Sequence, residues 1–580
     1  MSLTPHALGV HHLLVGTSDA TPSSPFRSRR LTRDSLSPRA SNVSTHRTPA
    51  VRRNARPWLP KRLDPVVRPL LDYPSRRRLA ACVNVSDLRD AAKARAHKMV
   101  FDYLDAGADD EITIRRNKDA FSQIELHYRI LAGLKPPLDM GTRVMGRGVS
   151  VPFFPAPTAG SKMFHADGEV GVARAAAAHG AMYCLSTMGT CAPAEVGPAT
   201  PGHPKLFQLY VWKDRGLVRD MLAQAREEGF HALALTVDLT WYGNRERDTR
   251  NNFTVPPAYT PRQIFEAVKR PAWSWDFLAN PEYAYAAVDL AAKGRARRAR
   301  DRAAAGKISE KEEEPFPTDR REQVAFIRDA FDPSFDWDDA EWLCQEWGST
   351  GPVALKGVVR PDDALRAVEA GFDAVWVSNH GGRQLETAPA PIDVLPSIRQ
   401  ALGGVEAWAA AKDAEERVWA ETPQANEHDG VGGSSSCAGG EVPVPGIASR
   451  AATAAKTAAA EHGGHAVSLR TGLPIEVIMD GGVQRGTDIL KALALGADGV
   501  AMGKPYLYGL CAGGEAGAHK AMDILRVELE RAMGLLGVGT VAELRRRMAA
   551  GEGLVRRRDA SVRDFPDPGA MARGYGGGVF

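Results

Sequence analysis

The sequence contains little cysteine, no long apolar run and no large excess of one charge. Its six cysteines in 580 residues form no CxxC pair and no Cys/His cluster with zinc or iron–sulfur spacing, so we expect reduced thiols and no metal site. No apolar run reaches the ~18 residues of a membrane span. The formal net charge is +4 and the basic residues concentrate near the N-terminus. The rest of the chain is therefore not expected to bind nucleic acid.

The composition of the chain changes near residue 83. Residues 1–83 are rich in Arg, Ser, Thr and Pro and carry few acids, which is typical of an organellar transit peptide. We predict such a peptide there, directed to a mitochondrion or alternatively to a plastid, or else a disordered basic tail. The folded domain is predicted to span residues 84–565, followed by a flexible tail at 566–580.

Eight short apolar runs, each leading to a helical stretch, dominate the predicted domain. Strands that alternate with helices imply parallel pairing with crossovers. Eight such units close most economically into a (β/α)8 barrel, an α/β fold, here preceded by an N-terminal helical segment. The runs lie at residues 151–159, 182–187, 205–211, 232–238, 353–358, 374–379, 476–482 and 499–504.

Two inserts interrupt this repeat. The first insert, at about residues 250–335, combines aromatic residues with a charged run, and we expect its aromatic part to cover the barrel mouth. The second insert, at about residues 404–472, contains GVGGSSSCAGG and AATAAKTAAA. Its low complexity predicts disorder.

Polar residues occur at the ends of all eight runs. Ligands of a barrel bind at the C-terminal ends of its strands, so these residues are expected to form one site. A single polar residue at a strand end is most often a cap, but a complete set is harder to explain in that way. The set is Thr158, Ser186, Gln208, Tyr210, Thr236, Asp238, Lys356, Ser378, His380, Arg383, Asp480 and Lys504.

The residue types in this set indicate acid–base chemistry on an anionic ligand. A histidine such as His380 can accept a proton near neutral pH, and Asp238 would orient its ring. The planar fork of Arg383 matches a carboxylate, so a small acid is the expected substrate. The last two runs end in DGGVQRGTD and GKP, where backbone N–H groups before a helix can bind a cofactor phosphate.

The stretch SNHGGRQLE, residues 378–386, resembles the signature of the FMN-dependent α-hydroxy acid oxidase and dehydrogenase family. FDYLDAGADDE, FQLYVWKDR, LTVD, GNRERD and DGGVQRGTD extend the resemblance over residues 83–558 apart from the inserts. It implies FMN as cofactor and oxidation of an (S)-2-hydroxy acid to the 2-oxo acid. It also implies a homo-oligomer, expected to be a tetramer, and an external electron acceptor such as cytochrome c, a quinone or O2.

The resemblance further implies roles for individual residues. His380 would take the substrate proton, with Asp238 behind it, while electrons pass to flavin N5 as hydride or through a carbanion. Lys356 would stabilise negative charge near flavin N1. The substrate contacts would be Tyr103, Tyr210, Arg245, His380 and Arg383. Beside Lys356, the cofactor contacts would be Pro157, Thr158, Ala159, Ser186, Gln208, Thr236, Ser378, Asp480, Gly481, Gly482, Gln484, Arg485, Gly503 and Lys504.

The chain departs from the family pattern at both ends of the expected site. Arginine is usual in the family where Gln484 and Lys504 stand, so two strong phosphate ligands are replaced by an amide and a point charge. We expect FMN to be held by backbone donors, Lys504 and Arg485. Glycolate oxidases usually carry tryptophan at Met188 and methionine at Gly160, so the pocket is expected to accept more than glycolate. L-lactate is the preferred substrate.

Three other functions are alternatives to this interpretation. Within the family, the alternative is a glycolate oxidase or a broad 2-hydroxy acid oxidase that uses O2. An isomerase related to the type 2 isopentenyl diphosphate enzymes would need no His/Arg pair after the sixth strand. A barrel kept only as a binding module would be expected to have lost His380 or Arg383, and both are present.

Overall fold

The structure is a computed structural model that describes residues 58–253, 260–280, 285–287, 294, 330–421, 447–461 and 464–558. Strands and helices are numbered in chain order within those residues. Three short strands come first: β1 (Ile124–Leu126), β2 (Thr142–Val144) and β3 (Arg147–Val149). The strands of the central sheet are β4 (Phe153–Pro155), β5 (Tyr183–Ser186), β6 (Lys205–Leu209), β7 (Ala232–Thr236), β8 (Val353–Val358), β9 (Ala374–Val377), β10 (Glu476–Met479) and β11 (Gly499–Met502). The last strand, β12 (Val555–Arg557), pairs antiparallel with β1.

The central sheet consists of eight parallel strands and is nearly closed into a barrel. Its strand order is β4-β11-β10-β9-β8-β7-β6-β5, and β11 pairs with β4 in parallel. Each predicted apolar run contains one of these strands, because residues that are buried on both faces of a parallel sheet must be almost continuously apolar. The predicted (β/α)8 barrel is therefore confirmed.

Helices surround the sheet and precede it. The helices of the first half are α1 (Trp58–Ala81), α2 (Val85–Arg95), α3 (Lys98–Asp105), α4 (Ile112–Ser122), α5 (Gly168–Ala178), α6 (Pro193–Ala199), α7 (Arg215–Glu227), α8 (Glu246–Arg250), α9 (Pro261–Val268) and α10 (Pro271–Ala279). Those of the second half are α11 (Trp337–Trp347), α12 (Pro361–Glu369), α13 (Pro391–Ala401), α14 (Gly404–Ala420), α15 (Ile447–Ala460), α16 (Gly486–Ala494), α17 (Lys504–Leu536) and α18 (Val541–Ala549). None of the helices in the described part of the chain is both long and apolar enough to cross a membrane.

The predicted N-terminal boundary at residue 83 is wrong for its last part, because residues 58–81 form helix α1. Leu79 of α1 is buried, and Arg68 donates to Asp276 of α10 at 2.8 Å. These tertiary contacts hold a helix whose prolines and arginines had suggested an unfolded tail. Residues 1–57 lie outside the described residues, so the transit peptide stays a prediction for them.

The prediction of disorder in the second insert is wrong for the two segments that form α14 and α15. Trp408 of α14 donates to Asp498 at 2.9 Å, and Lys412 donates to Glu476 at 2.9 Å. Helix α15 packs against α14, and its many alanines favour helix rather than disorder. The GVGGSSSCAGG stretch and the predicted tail at 566–580 lie outside the described residues.

Candidate active site

A cavity of about 480 Å³ lies at the C-terminal ends of the barrel strands. The structure brings most of the predicted site residues to its wall. The lining includes Tyr103, Pro157, Thr158, Ala159, Tyr210, Thr236, Arg245, Lys356, His380, Arg383, Asp480, Gly481, Gly482, Gln484, Gly503 and Lys504. Asp238, Ser186, Gln208 and Ser378 lie directly behind lining residues and hydrogen-bond to them or to one another.

His380 and Asp238 form a hydrogen-bonded pair at one side of the cavity. The Nδ1 of His380 lies 2.8 Å from Oδ1 of Asp238. Burial raises the pKa of Asp238, but His380 and Lys356 outweigh burial and the net pKa is lowered. The carboxylate therefore stays ionised and accepts from Nδ1, which leaves Nε2 of His380 as the ring nitrogen that can take a proton.

The backbone of the signature turns sharply to place this histidine. His380 adopts a left-handed φ of 57°, followed by Gly381 at 66° and Gly382 at 75°. A Cβ on Gly382 would lie 2.7 Å from the backbone nitrogen of Ile114. Left-handed φ favours glycine, and the close backbone approach at Gly382 leaves no space for a Cβ, so the two glycines permit the turn that separates the histidine from Arg383.

Arg383 faces the cavity beside Tyr103. Its Nη1 donates to the carbonyl oxygens of Tyr103 at 2.8 Å and Ala106 at 3.1 Å. Burial, with repulsion from Arg245, lowers the pKa of Arg383 to about 10, so it stays protonated at neutral pH. The Nε of Arg245 is buried and has no hydrogen-bond partner among the described residues. Two such cations in one cavity fit a carboxylate ligand.

Lys356 places a buried positive charge at the floor of the cavity. Its Nζ donates to Ser378 at 2.8 Å and lies 3.1 Å from Oδ2 of Asp480. Burial lowers the pKa of Lys356, but Asp480 and Asp238 raise it more, so the net pKa lies above its usual value. The ammonium is therefore charged and can offset a negative charge on a ligand bound at the cavity floor.

A row of buried polar side chains extends along β5, β6 and β7. The hydroxyl of Ser186 donates to Oε1 of Gln208 at 2.9 Å, and Nε2 of Gln208 donates to Thr236 at 3.0 Å. Next to this row, after β4, the hydroxyls of Thr158 and Tyr506 lie 2.5 Å apart. These groups offer fixed donors and acceptors to the edge of a flat, polar ring system.

Glycines and Lys504 form the far end of the cavity. Gly481 and Gly482 have φ of 96° and 86°, and a Cβ on Gly482 would lie only 2.0 Å from the carbonyl oxygen of Asn117. Lys504 donates to the carbonyl of Asp105 at 2.8 Å. Burial and then Arg383 hold the pKa of Lys504 well below its usual range, so an anion bound there would stabilise its charged form.

The other two predicted phosphate contacts are placed differently. Gln484 lines the cavity, but its Nε2 donates to the neighbouring carbonyl of Val483 at 2.9 Å. Arg485 does not line the cavity, because its Nη1 donates to Glu528 of α17 at 2.8 Å. The structure therefore does not bring Arg485 to the phosphate end, where it had been predicted.

Known proteins share much of the sequence of this chain. The sequence pattern of the FMN-dependent dehydrogenase family matches residues 92–409 and 453–550. The chain belongs to this family. It is 33% identical to glycolate oxidase 3 of Oryza sativa subsp. japonica over 464 residues, which cover 80% of this chain and 95% of that protein. It is 32% identical to L-lactate dehydrogenase of Xanthomonas campestris pv. campestris over 461 residues, 79% of this chain and 94% of that protein.

Solved structures agree with this membership. (S)-Mandelate dehydrogenase superposes with a TM-score of 0.60 at 26% identity, covering 80% of this chain and 97% of that one. The flavin-binding domain of baker's yeast flavocytochrome b2 superposes with a TM-score of 0.56 at 26% identity, covering 88% of this chain and 96% of that one. FMN is therefore the cofactor of this FMN-dependent dehydrogenase, and oxidation of a 2-hydroxy acid is its reaction.

The residues of this FMN-dependent dehydrogenase fit its cofactor. The glycine turn beside Lys504 suits a phosphate, because the backbone can approach it closely. The row from Ser186 to Thr236 suits the polar edge of the flavin ring, and the buried ammonium of Lys356 suits a flavin that gains negative charge on reduction. Bound FMN supplies an acceptor for the electron pair of the substrate.

Part of the cavity wall comes from the first insert, and its residues were not predicted individually. Tyr285 and Phe331 line the cavity, and the Phe331 ring lies 5.4 Å from that of Tyr210. The end of the insert is held by backbone hydrogen bonds, since Lys213 N donates to Ala330 O at 2.8 Å. Aromatic residues of this insert therefore form part of the cavity wall. The charged run of the insert lies outside the described residues.

Replacing Phe331 with alanine is expected to shift the preference of the enzyme toward 2-hydroxy acids with longer side chains. One methylene in an apolar pocket changes kcat/KM by roughly 10-fold to 200-fold, so the ratio of kcat/KM for 2-hydroxyhexanoate over lactate should rise about tenfold or more. Phe335→Ala is the matched control, because Phe335 does not line the cavity. An equal ratio in both variants would remove Phe331 from the substrate wall.

Proposed function

We propose that this protein oxidises L-lactate, and more slowly other (S)-2-hydroxy acids, to the 2-oxo acid. The observation that carries the proposal is the pairing of His380 with Asp238 at 2.8 Å in a cavity that Arg383 also lines. A proton acceptor and a carboxylate-binding fork are the two groups that oxidation of a 2-hydroxy acid requires of the protein.

Each side chain has a defined part in the proposed reaction. Arg383 and Arg245 bind the substrate carboxylate, which orients the hydroxyl-bearing carbon toward His380. Burial keeps the pKa of Tyr210 well above its usual value, so its hydroxyl remains a hydrogen-bond donor to the substrate oxygen. Nε2 of His380 takes the substrate proton, and Asp238 stabilises the imidazolium that forms.

Two residues near the flavin end favour lactate over glycolate as the substrate. Met188 lines the cavity, and methionine is flexible enough to adapt to a methyl group. Gly160 has a φ of 69°, and a Cβ there would lie 2.3 Å from Cε of Met163. Gly160 does not itself line the cavity, so the proposal of lactate rests on Met188 and on the departure of both positions from the residues usual in glycolate oxidases. A glycolate oxidase or a broad oxidase using O2 remains the alternative.

Anaerobic stopped-flow reduction of the bound flavin tests the proposal. L-Lactate is expected to bleach the flavin faster than glycolate or longer acids, and D-lactate should leave the flavin oxidised. Mixing the reduced enzyme with O2 or cytochrome c then identifies the acceptor. If none of these acids reduces the flavin, the proposed function is wrong. Faster reduction by glycolate than by L-lactate would favour the alternative.

The electron acceptor, the cellular destination and the oligomeric state of the enzyme are proposed on sequence grounds alone. We propose that electrons pass from the flavin to cytochrome c or a quinone. We also propose that the N-terminal residues direct the protein to a mitochondrion, with a plastid as the alternative. The enzyme is further proposed to be a homotetramer. A fluorescent fusion of residues 1–57 tests the destination, and light scattering of the purified protein tests the oligomeric state. Cytosolic fluorescence or a monomeric mass would contradict these proposals.

Replacing Arg383 with lysine is expected to raise KM for L-lactate and to lower kcat/KM by about 10-fold to 100-fold. The reason is that a lysine cannot form the paired hydrogen bonds of a guanidinium, and a charge-assisted hydrogen bond contributes about 1.5–3 kcal/mol. Steady-state kinetics with a dye acceptor measure the change. Arg360→Lys is the matched control, since Arg360 is exposed and lies outside the cavity wall. Unchanged kinetics in Arg383→Lys would remove it from the carboxylate site.

A further inference from the structure

Helix α4 runs beside the phosphate end of the cavity. The carbonyl oxygen of Asn117 is so close to Gly482 that a Cβ there would lie 2.0 Å from it. The side-chain amides of Asn117 and Asn379 donate to each other at 2.9 and 2.7 Å. Lys491 of α16 donates to the carbonyl of Phe121 at 2.8 Å. These contacts fix α4 against the glycine turn after β10.

The signature segment also holds the start of α4. Glu386 accepts hydrogen bonds from the backbone nitrogens of Ile112 at 3.0 Å and Thr113 at 2.7 Å. Burial raises the pKa of Glu386, but its hydrogen bonds from Thr113 lower it more, to about 2. The carboxylate is thus ionised at neutral pH and caps the positive end of the helix. Residues of α4 are therefore held in place with respect to the signature.

Lys118 extends from this fixed helix to the cavity wall, near Lys504. It forms no hydrogen bond or ion pair with any residue in the described part of the chain. The nearby carboxylates have other partners, since Asp105 binds Arg89 at 2.7 Å and Glu111 pairs with Arg247. Lys118 and Lys504 both line this end of the cavity, and the charge of Lys118 contributes to the lowered pKa of Lys504.

We propose that Lys118 binds the FMN phosphate together with Lys504. Their two positive charges replace the charge that is missing at the phosphate because Gln484 stands where the family usually has an arginine. A lysine suits this role because its compact charge on a flexible stem can neutralise a phosphate without a fixed angle. Repulsion between Lys118 and Lys504 would be relieved when the dianion binds. The inference concerns cofactor affinity and does not depend on which acid is oxidised.

Titration of the full-length apo-protein with FMN and with riboflavin tests this proposal. Quenching of flavin fluorescence gives Kd for each, and riboflavin lacks only the phosphate. In Lys118→Met, Kd for FMN is expected to rise about tenfold at low salt and less at high salt, because screening weakens exposed charges. Kd for riboflavin should not change, and Lys118→Arg should keep the affinity for FMN. Lys93→Met, an exposed lysine of α2 outside the cavity, is the matched control.

Two outcomes would overturn the proposal. The first is an unchanged Kd for FMN in Lys118→Met. The second is equal weakening of FMN and riboflavin, which would mean that the substitution disturbs α4 and not a phosphate contact. Both measurements are made without substrate, so a protein that binds FMN as expected but oxidises no acid would contradict the proposed function and leave this inference intact.

Discussion

Replacing His380 with glutamine is expected to slow reduction of the flavin by L-lactate about 10²-fold to 10⁴-fold, which is the usual contribution of a general base. Glutamine has a similar size but no nitrogen that can take a proton. Its amide can still donate to Asp238, whose Oδ1 lies 2.8 Å from the histidine ring in the native enzyme. The cavity and its cofactor should therefore be retained while the proton acceptor is lost.

The measurement is anaerobic stopped-flow reduction, with three comparisons that isolate the chemical step. The flavin absorption spectrum and the Kd for FMN should match the wild type. Dithionite should reduce the flavin equally in both proteins. His519→Gln serves as the matched control, because His519 lies on α17 outside the cavity wall and should leave the rate unchanged. Equal reduction by L-lactate in His380→Gln and wild type would refute the histidine as the base.

The position of His380 could be predicted because local sequence determines most of it. The run at β9, Ala374–Val377, is buried at every residue, so its apolar pattern marks a central strand. Two consecutive glycines then indicate a left-handed turn, which the structure has at Gly381 and Gly382. The same reasoning located all eight strands, since each run is short, apolar and followed by a helix or a loop.

Residues whose position depends on distant parts of the chain could not be predicted in this way. Phe331 reaches the cavity because its neighbours pair with residues 211–213, more than a hundred positions earlier. Arg485 does not line the phosphate end because its side chain binds Glu528 of α17. Lys118 sits on a helix before the barrel, so no strand end points to it. Tertiary contacts determine such positions, and no local sequence pattern predicts them.

In the N-terminal helix, tertiary packing likewise forms a structure that local sequence does not predict. Helix α1 contains Pro65, Pro69 and Pro74, and proline inside a helix removes a hydrogen bond and strains the backbone. Local propensity therefore argues against the helix. It forms nevertheless, with Arg68 bound to Asp276 at 2.8 Å and Leu79 buried against the barrel helices. Packing overrides propensity here, and composition alone could not have predicted that outcome.

Replacing Lys356 with methionine is expected to lower the free energy of unfolding of the apo-protein by about 3–5 kcal/mol, the usual cost of removing one partner of a buried ion pair. Lys356 is 4% exposed, and its Nζ lies 3.1 Å from Asp480. Methionine fills a similar volume, so the loss is electrostatic rather than steric. Asp480 keeps donors from Ser378 and Trp376 at 2.6 and 3.0 Å, which places the expected loss near the lower end of the range.

Urea denaturation followed by tryptophan fluorescence measures this loss, and a second variant separates charge from packing. In Lys356→Met/Asp480→Asn the uncompensated carboxylate is gone, so at least half of the lost stability should return. Lys269→Met breaks an exposed pair with Glu266 and should leave the urea midpoint nearly unchanged. If the double variant is no more stable than Lys356→Met, the loss comes from packing and the charge of Lys356 does not stabilise the barrel floor. In the double variant, stability can return while L-lactate still reduces the flavin slowly. That result would show that the ammonium of Lys356 has two roles: it balances the charge of Asp480 in the apo-protein, and it offsets the negative charge that the flavin gains on reduction.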